Sequence, residues 1–442
     1  MLRDPTTGVF TGRLLWATTN PQPNPDTGER NSPARMDHYG RALVRSDKND
    51  FAPRIGIAYK LTDKTVIRSG VGVFYNSTFV QELQDLRKFW PFTVQQVFSP
   101  NRGGVLDQSI TAPGPAFSNT SAIGGWPQNP DNRSPYSTQW NVFIQRQLQD
   151  DLTFDVGYVG SASRKQIGYA PFNNALTPGP GPIQPRRLLT NFGDLDGGSN
   201  QFSGSYNALQ TTLKKRFSRG LQFNLNYTWQ KALDNQSSLA ENQKTQDPFN
   251  RRSDWSRSSW DINHALVFSY VYELPFGRGR QFGGNLNRAA NLVLGGWSIE
   301  GITRLESGPP FMVFTSEDLA NTGRKTQRLN FAPGNPNPNA GPKDPDQWFN
   351  TSAFVRPPQF TFGNAAPYIT NADGIISLDI VGSKEFQIKE GHALEFRAEF
   401  FNFTNTTSFG DPQGNINNAA YGRITGQRVG SRQIQLGLRY RF

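Results

Sequence analysis

RQIQLGLRYRF, residues Arg432–Phe442, alternates from end to end: Ile434, Leu436, Leu438, Tyr440 and Phe442 interleave with Gln433, Gln435, Gly437, Arg439 and Arg441. Successive side chains of a strand point to opposite faces, so the segment has one apolar face and one polar face. It matches the roughly 9–11 tilted residues that cross a bilayer with apolar side chains outward and polar side chains inward. As a soluble edge strand it would be an aggregation hazard. Tyr440 and Phe442 therefore read as the closing aromatic signal of a transmembrane β-barrel, whose last strand must pair to complete the wall.

The same alternation recurs upstream, in pairs. PRIGIAYKL precedes TVIRSGVGVFY; STQWNVFIQRQL precedes LTFDVGYVG; YNALQTTLKKRF precedes LQFNLNYTWQ. HALVFSYVYEL and GGWSIEGITRLESG form a fourth pair, joined by the basic connection PFGRGRQFGG, and GIISLDIVGSKEF and HALEFRAEFFNF a fifth. With the terminal strand the count is about eleven. Most turns within pairs are short, whereas the connections between pairs, near 76–136, 161–205, 231–263, 307–374 and 404–431, are long and rich in Gly, Pro, Asn and Ser. A compact soluble domain rarely tolerates such loops. Short periplasmic turns and long extracellular loops are the asymmetry of an outer-membrane barrel. The expected fold is all-β, a transmembrane antiparallel β-barrel. Tyr75, Tyr158, Tyr227, Trp229 and Tyr272 fall near strand ends, where an interfacial aromatic girdle or plain β-propensity would place them.

Composition agrees. Hydrophobic residues make up only 35% of the 442, yet aromatics reach 12% with 33 Phe, as half-lipid-facing strands plus polar loops require. No apolar run is long enough for a transmembrane helix. Cysteine is absent, which excludes disulfides and thiolate metal sites. The net charge of +11 comes from scattered Lys and Arg without a basic block. No nucleic-acid partner is expected; a polar lumen, anionic lipid headgroups or an anionic ligand account for the charge. The opening MLRDPTTGVFTGRLLWATT has no charged-then-apolar leader, so either Met1 lies inside a longer gene or the sequence is incomplete.

NDFAPRIGIAYKLTDKTVIRSGVGVFYN, DVGYVGSASRK, YNALQTTLKKRFSRGLQFNLNYTWQKALD, DINHALVFSYVYELPFGRG and LEFRAEFFNFTN, in that order, resemble successive stretches of TonB-dependent outer-membrane receptors. The resemblance is to the Oar-like subgroup with a carboxypeptidase-regulatory-like N-terminal module, and it covers residues 48–442, leaving 1–47 as a loop or truncated strand. It implies about eleven strands of a 22-stranded barrel around a plug. It also implies import of a siderophore, cobalamin or glycan across the outer membrane of a Gram-negative bacterium. The implied partners are outer-membrane lipid and lipopolysaccharide, the barrel-assembly machinery, and the TonB complex if a plug is coded upstream. The alternative is a non-transporting surface β-protein that binds matrix, glycan or lipopolysaccharide through its loops.

Neither enzyme chemistry nor a cofactor is expected, because no catalytic or nucleotide fingerprint occurs. His38, His264 and His392 are too scattered to suggest a metal site. Glu395, Arg397 and Glu399 share a strand face and read as an inward charge-balanced ladder rather than an acid–base pair. NFAPGNPNPNAGPKDPDQW lacks calcium-loop spacing and reads as a turn-rich loop. The candidate ligand-binding segment is DPFNRRSDWSRSSWD, where Arg251, Arg252 and Arg257 interleave with Trp255 and Trp260. Arginine grips carboxylate or phosphate and tryptophan stacks on rings or sugars. The competing reading is a loop that packs on neighbouring loops or on lipopolysaccharide phosphates.

Overall fold

A computed structural model describes residues 47–76, 133–190, 192–238, 245–324 and 326–442, with short strands at Leu2–Arg3, Phe10–Thr11 and Ile123–Gly125. Most of the expected N-terminal region 1–47, His38 and most of the 76–136 connection lie outside the described residues. Eleven strands build one sheet: β1 (Arg54–Thr62), β2 (Thr65–Tyr75), β3 (Tyr136–Gln149), β4 (Leu152–Pro171), β5 (Phe192–Ser218), β6 (Leu221–Asp234), β7 (His264–Glu273), β8 (Trp297–Glu306), β9 (Ile375–Lys389), β10 (His392–Phe401) and β11 (Gln433–Arg441). They lie side by side in chain order, each antiparallel to the next. The strand pairs expected from alternation are the observed hairpins.

Register carries the alternation across strands. One line of partners runs Phe223, Tyr270, Gly301, Ile380, Phe400 and Ile434 from β6 to β11; the adjacent line runs Gln222, Val271, Glu300, Val381, Glu399 and Gln435. The sheet therefore has an apolar face for lipid and a polar face for the barrel lumen. Large rings lie over glycines on the apolar side: a Cβ at Gly160 would sit 2.2 Å from the Trp140 ring, and one at Gly301 2.6 Å from Tyr270. Each glycine directly faces its aromatic partner across the ladder, so the ring occupies the space a side chain would take.

The sheet is open. Among the described residues β1 and β11 each pair on one side only, and with eleven strands in strict antiparallel order they run in the same direction. Leu436 and Leu438 of β11 are 68% and 69% exposed, an apolar surface suited to hydrocarbon rather than water.

Two expectations need correction. The 161–205 connection is mostly strand, since β4 and β5 stay paired out to Pro171 and Asp196, and β5 alone is 27 residues long. That length far exceeds the roughly 9–11 residues a bilayer needs, so the hairpin projects beyond it. The long loops also hold a hydrophobic core. Phe311, Leu329, Trp348, Phe349, Phe354 and Ile424 are buried together from the 307–374 and 404–431 connections, tied by two-residue strands such as Pro310–Phe311 with Thr370–Asn371. The NFAPGNPNPNAGPKDPDQW stretch belongs to this cap: Asp344 accepts from the amides of Asp346 and Gln347, and Asp346 pairs with Arg423 at 2.5 Å.

On the periplasmic side, the β7–β8 connection holds helix α1 (Arg288–Leu294), capped by the Asn287 side chain, which accepts from the Ala290 amide at 2.8 Å.

Candidate functional site

The loop after β6 is pinned from below. Ser256 and Arg257 pair with Asp234 and Leu233, extending the top of β6. The Asp261 side chain is fully buried; its Oδ1 accepts from the Ala232 amide at 2.7 Å, and its Oδ2 from Arg257 Nε at 2.6 Å and Lys231 Nζ at 3.1 Å. Arg257 also donates to Asn263 Oδ1 at 3.0 Å and to Asn371 Oδ1 at 2.5 Å, which ties this loop to the cap. Its guanidinium is committed to the fold.

The bracing leaves Trp260 standing 68% exposed, with its Nε1 donating to Ser237 O at 3.3 Å. Trp260 forms one wall of a cavity of about 590 Å³ between the cap and the upper polar face of β8 and β9. That volume suits a small-molecule ligand. Phe311 and Tyr368 add aromatic surface. Tyr368 adopts φ 55°, a left-handed conformation uncommon outside glycine, as functional sites often impose. Two internally neutralised pairs complete the lining. Arg304 grips Glu306 through Nε at 2.6 Å and Nη2 at 2.9 Å, and Arg428 meets Asp411 at 2.6 Å. The cavity presents ring faces beside paired charges that a polar ligand can bridge.

The other members of the expected cluster lie elsewhere. Arg251 stacks 4.8 Å over Phe202 and donates to Thr245 Oγ1 at 2.8 Å; burial pushes its pKa down to about 10, with Asp254 acting in the opposite direction. Arg324, 4.0 Å from Asp196, and Arg328, 3.8 Å from buried Asp254, are lowered by burial in the same way. These arginines join the cap to the β4–β5 hairpin and the loop after β6. Arg252 and Trp255 are exposed but do not line the cavity. Of the five, the structure brings Trp260 to the cavity and Arg257 behind it. Sequence reading missed Arg304, Glu306, Tyr368, Asp411 and Arg428; only Arg304 and Glu306 carried a signal, as charges two apart on one strand face.

Lower on the polar face, Arg397 sits among three carboxylates. Its Nε donates to Glu399 at 3.0 Å, its Nη1 to Glu395 at 3.3 Å, and its Nη2 lies 3.5 Å from Glu300. This is the inward ladder, extended by a third acid from β8. The described histidines are separate: His264 Nδ1 and the Tyr227 hydroxyl share a hydrogen bond of 2.9 Å near the extracellular end, and His392 Nδ1 and the Tyr440 hydroxyl one of 2.6 Å near the periplasmic end. Among the described residues no group of His, Asp or Glu could hold a metal ion.

A family model described as an outer membrane beta barrel domain matches residues 3–435. No curated protein matches the sequence. Among solved structures, the chain is similar to the outer membrane transporter YddB from Escherichia coli, with 9% identity and a TM-score of 0.50 over 88% of this chain and 40% of that one. FpvA of Pseudomonas aeruginosa, solved with heterologous pyoverdines, gives 10% identity and 0.43 over 90% and 33%. BauA, the ferric preacinetobactin receptor from Acinetobacter baumannii, gives 9% and 0.40 over 88% and 36%. The chain thus spans well under half the length of each.

Proposed function

The chain belongs to the outer membrane beta barrel domain family, and from that premise we propose that residues 48–442 form the C-terminal part of a TonB-dependent receptor barrel of the Oar-like subgroup. In this reading the protein takes up a scarce ligand of the siderophore, cobalamin or glycan class. The observation that carries it is the cavity under Trp260, which opens between the extracellular cap and the lumenal face of β8 and β9. A ligand captured there is already positioned at the mouth of the barrel. The open edges of β1 and β11 support a larger barrel, because unpaired backbone groups are not tolerated in hydrocarbon. Both edges run the same way, so an odd number of further strands is needed to close an antiparallel wall. The barrel-assembly machinery, lipopolysaccharide around the loops, and the TonB complex acting through a plug are the partners this reading requires.

A second reading, a surface protein that binds through its loops without transport, draws on Arg252 and Trp255, which are exposed outside the cavity. Uptake separates the two. Host cells lacking the gene, complemented with the wild-type gene or Trp260→Ala, are offered ferric siderophores, cobalamin and oligosaccharides, with and without a protonophore. Protonophore-sensitive depletion of one ligand, with KM raised at least tenfold by Trp260→Ala, supports import. Cell-surface retention insensitive to both treatments supports the surface reading instead.

A further inference from the structure

We propose that the β7–β8 connection is a lipid-binding element that holds anionic phospholipid headgroups of the periplasmic leaflet. The inference rests on the barrel wall and is independent of what, if anything, the barrel imports. Helix α1 ends against the apolar face of the sheet. Trp297, Lys384, Phe396 and Leu438 are successive partners on that face. Trp297 Nε1 donates to Val293 O at 2.8 Å, and Lys384 Nζ donates to Leu292 O and Gly295 O, each at 2.5 Å. An ammonium below the last carbonyls neutralises the negative end of the helix and satisfies acceptors that would otherwise face hydrocarbon. Lys384 is only 4% exposed, so this clamp is built into the wall.

The clamp fixes what the connection shows to its surroundings. Leu292, Val293 and Leu294 are 58%, 66% and 55% exposed, and Phe276 and Phe282 of the same connection are also exposed, with ring centroids 5.6 Å apart. This apolar surface continues the lipid-facing band of β8 to β11. From Pro275 to Gly296 the segment carries Arg278, Arg280 and Arg288 and no acidic residue. Arg280 pairs with Glu273 at 2.9 Å, whereas Arg278 and Arg288 are exposed and form no ion pair among the described residues. Apolar side chains at the acyl boundary with arginines beside them are the composition of an interfacial lipid-binding element. Because its short-turn side is periplasmic, the leaflet it meets is the phospholipid one, and the arginines favour anionic headgroups there.

Depth-resolved quenching tests this. The sequence contains no cysteine, so Val293→Cys, with Leu294→Cys as a second position and Gly284→Cys as a reference in the turn, can each carry a single environment-sensitive fluorophore. The full chain, extracted from outer membranes, is reconstituted in phosphatidylcholine vesicles containing a fixed fraction of doxyl-labelled phosphatidylglycerol or doxyl-labelled phosphatidylcholine. Labels at 293 and 294 are expected to be quenched by lipid-borne doxyl and shielded from iodide. Phosphatidylglycerol should quench several-fold better than phosphatidylcholine. Arg278→Gln with Arg288→Gln should erase that preference. Iodide quenching at 293 and 294 as strong as at 284 would overturn the proposal, and so would equal quenching by the two doxyl lipids.

Discussion

Replacing Asp261 with Asn separates a structural Arg257 from a ligand-binding one. The amide keeps the shape and leaves Oδ1 to accept from the Ala232 amide, now at 2.7 Å. Its NH₂ group, however, then faces two donors, Arg257 Nε at 2.6 Å and Lys231 Nζ at 3.1 Å. Lys231 is half exposed, so water replaces its partner at little cost. Arg257 is sheltered, and losing its charge-assisted bond to a carboxylate costs about 3 kcal/mol. At 1.4 kcal/mol per decade, the open form of the 256–261 loop should become roughly 100-fold more populated. Chymotrypsin cleavage at Trp260 in outer-membrane vesicles reads that population while reclosing outpaces cleavage. The double variant Arg257→Leu/Asp261→Asn keeps the acceptor for the Ala232 amide and removes the cation that faces the new NH₂ group, so it should recover part of the protection. Cleavage of Asp261→Asn within threefold of wild type would refute the bracing role and return Arg257 to the ligand-binding candidates.

Gly160→Val should collide with the Trp140 ring and destabilise the wall by about 1–3 kcal/mol, lowering the heat-modifiable folded fraction, whereas Gly382→Ala, with nothing within 4 Å of its added Cβ, should leave that fraction unchanged. Lys384→Met keeps the apolar stem but removes both bonds to the end of α1; amide exchange across 288–296 should accelerate at least tenfold, while β8 and β9 remain protected. In the periplasmic turn between β3 and β4, hydrogen bonds from Lys215 and Ser218 hold Asp151 down to about 2. A depressed carboxylate stabilises above its unfolded value and loses that contribution as pH falls through the folded one. Amide protection at Leu152 and Arg216 should therefore stay level from pH 7 to about pH 4 and decline toward pH 2, and Asp151→Asn should flatten that decline.

Where side chains decide pairing, the wall was legible from residues alone. Leu221, Phe223, Leu225, Tyr227 and Trp229 declare a face by strict alternation, and β6 pairs on both sides as that face demands. The upper β4–β5 hairpin was hidden because FGDLDGGSNQFSGS carries loop residues, yet its ladder is built from backbone groups that glycine and serine supply equally well. The cap was hidden for another reason. Leu329, Phe349 and Ile424 follow no period, so they look like isolated apolar residues until tertiary contact gathers them. Helix α1, at seven residues, is too short for helical periodicity to register. As for the site, a Trp–Arg cluster was visible, but burial alone sorts Arg251 and Arg257 into bracing roles and Trp260 into the cavity.

If the sheet is a membrane wall with one face to lipid and one to the lumen, a cysteine scan of β6 reads the two faces residue by residue. Single cysteines from Leu221 to Trp229 are placed in the cysteine-free chain and treated in intact outer membranes with a small water-soluble maleimide. A two-faced wall gives a period of two: positions 222, 224, 226 and 228 react, while 221, 223, 225, 227 and 229 stay protected until detergent is added. Uniform reactivity along the strand, or protection of the even positions instead, would contradict it.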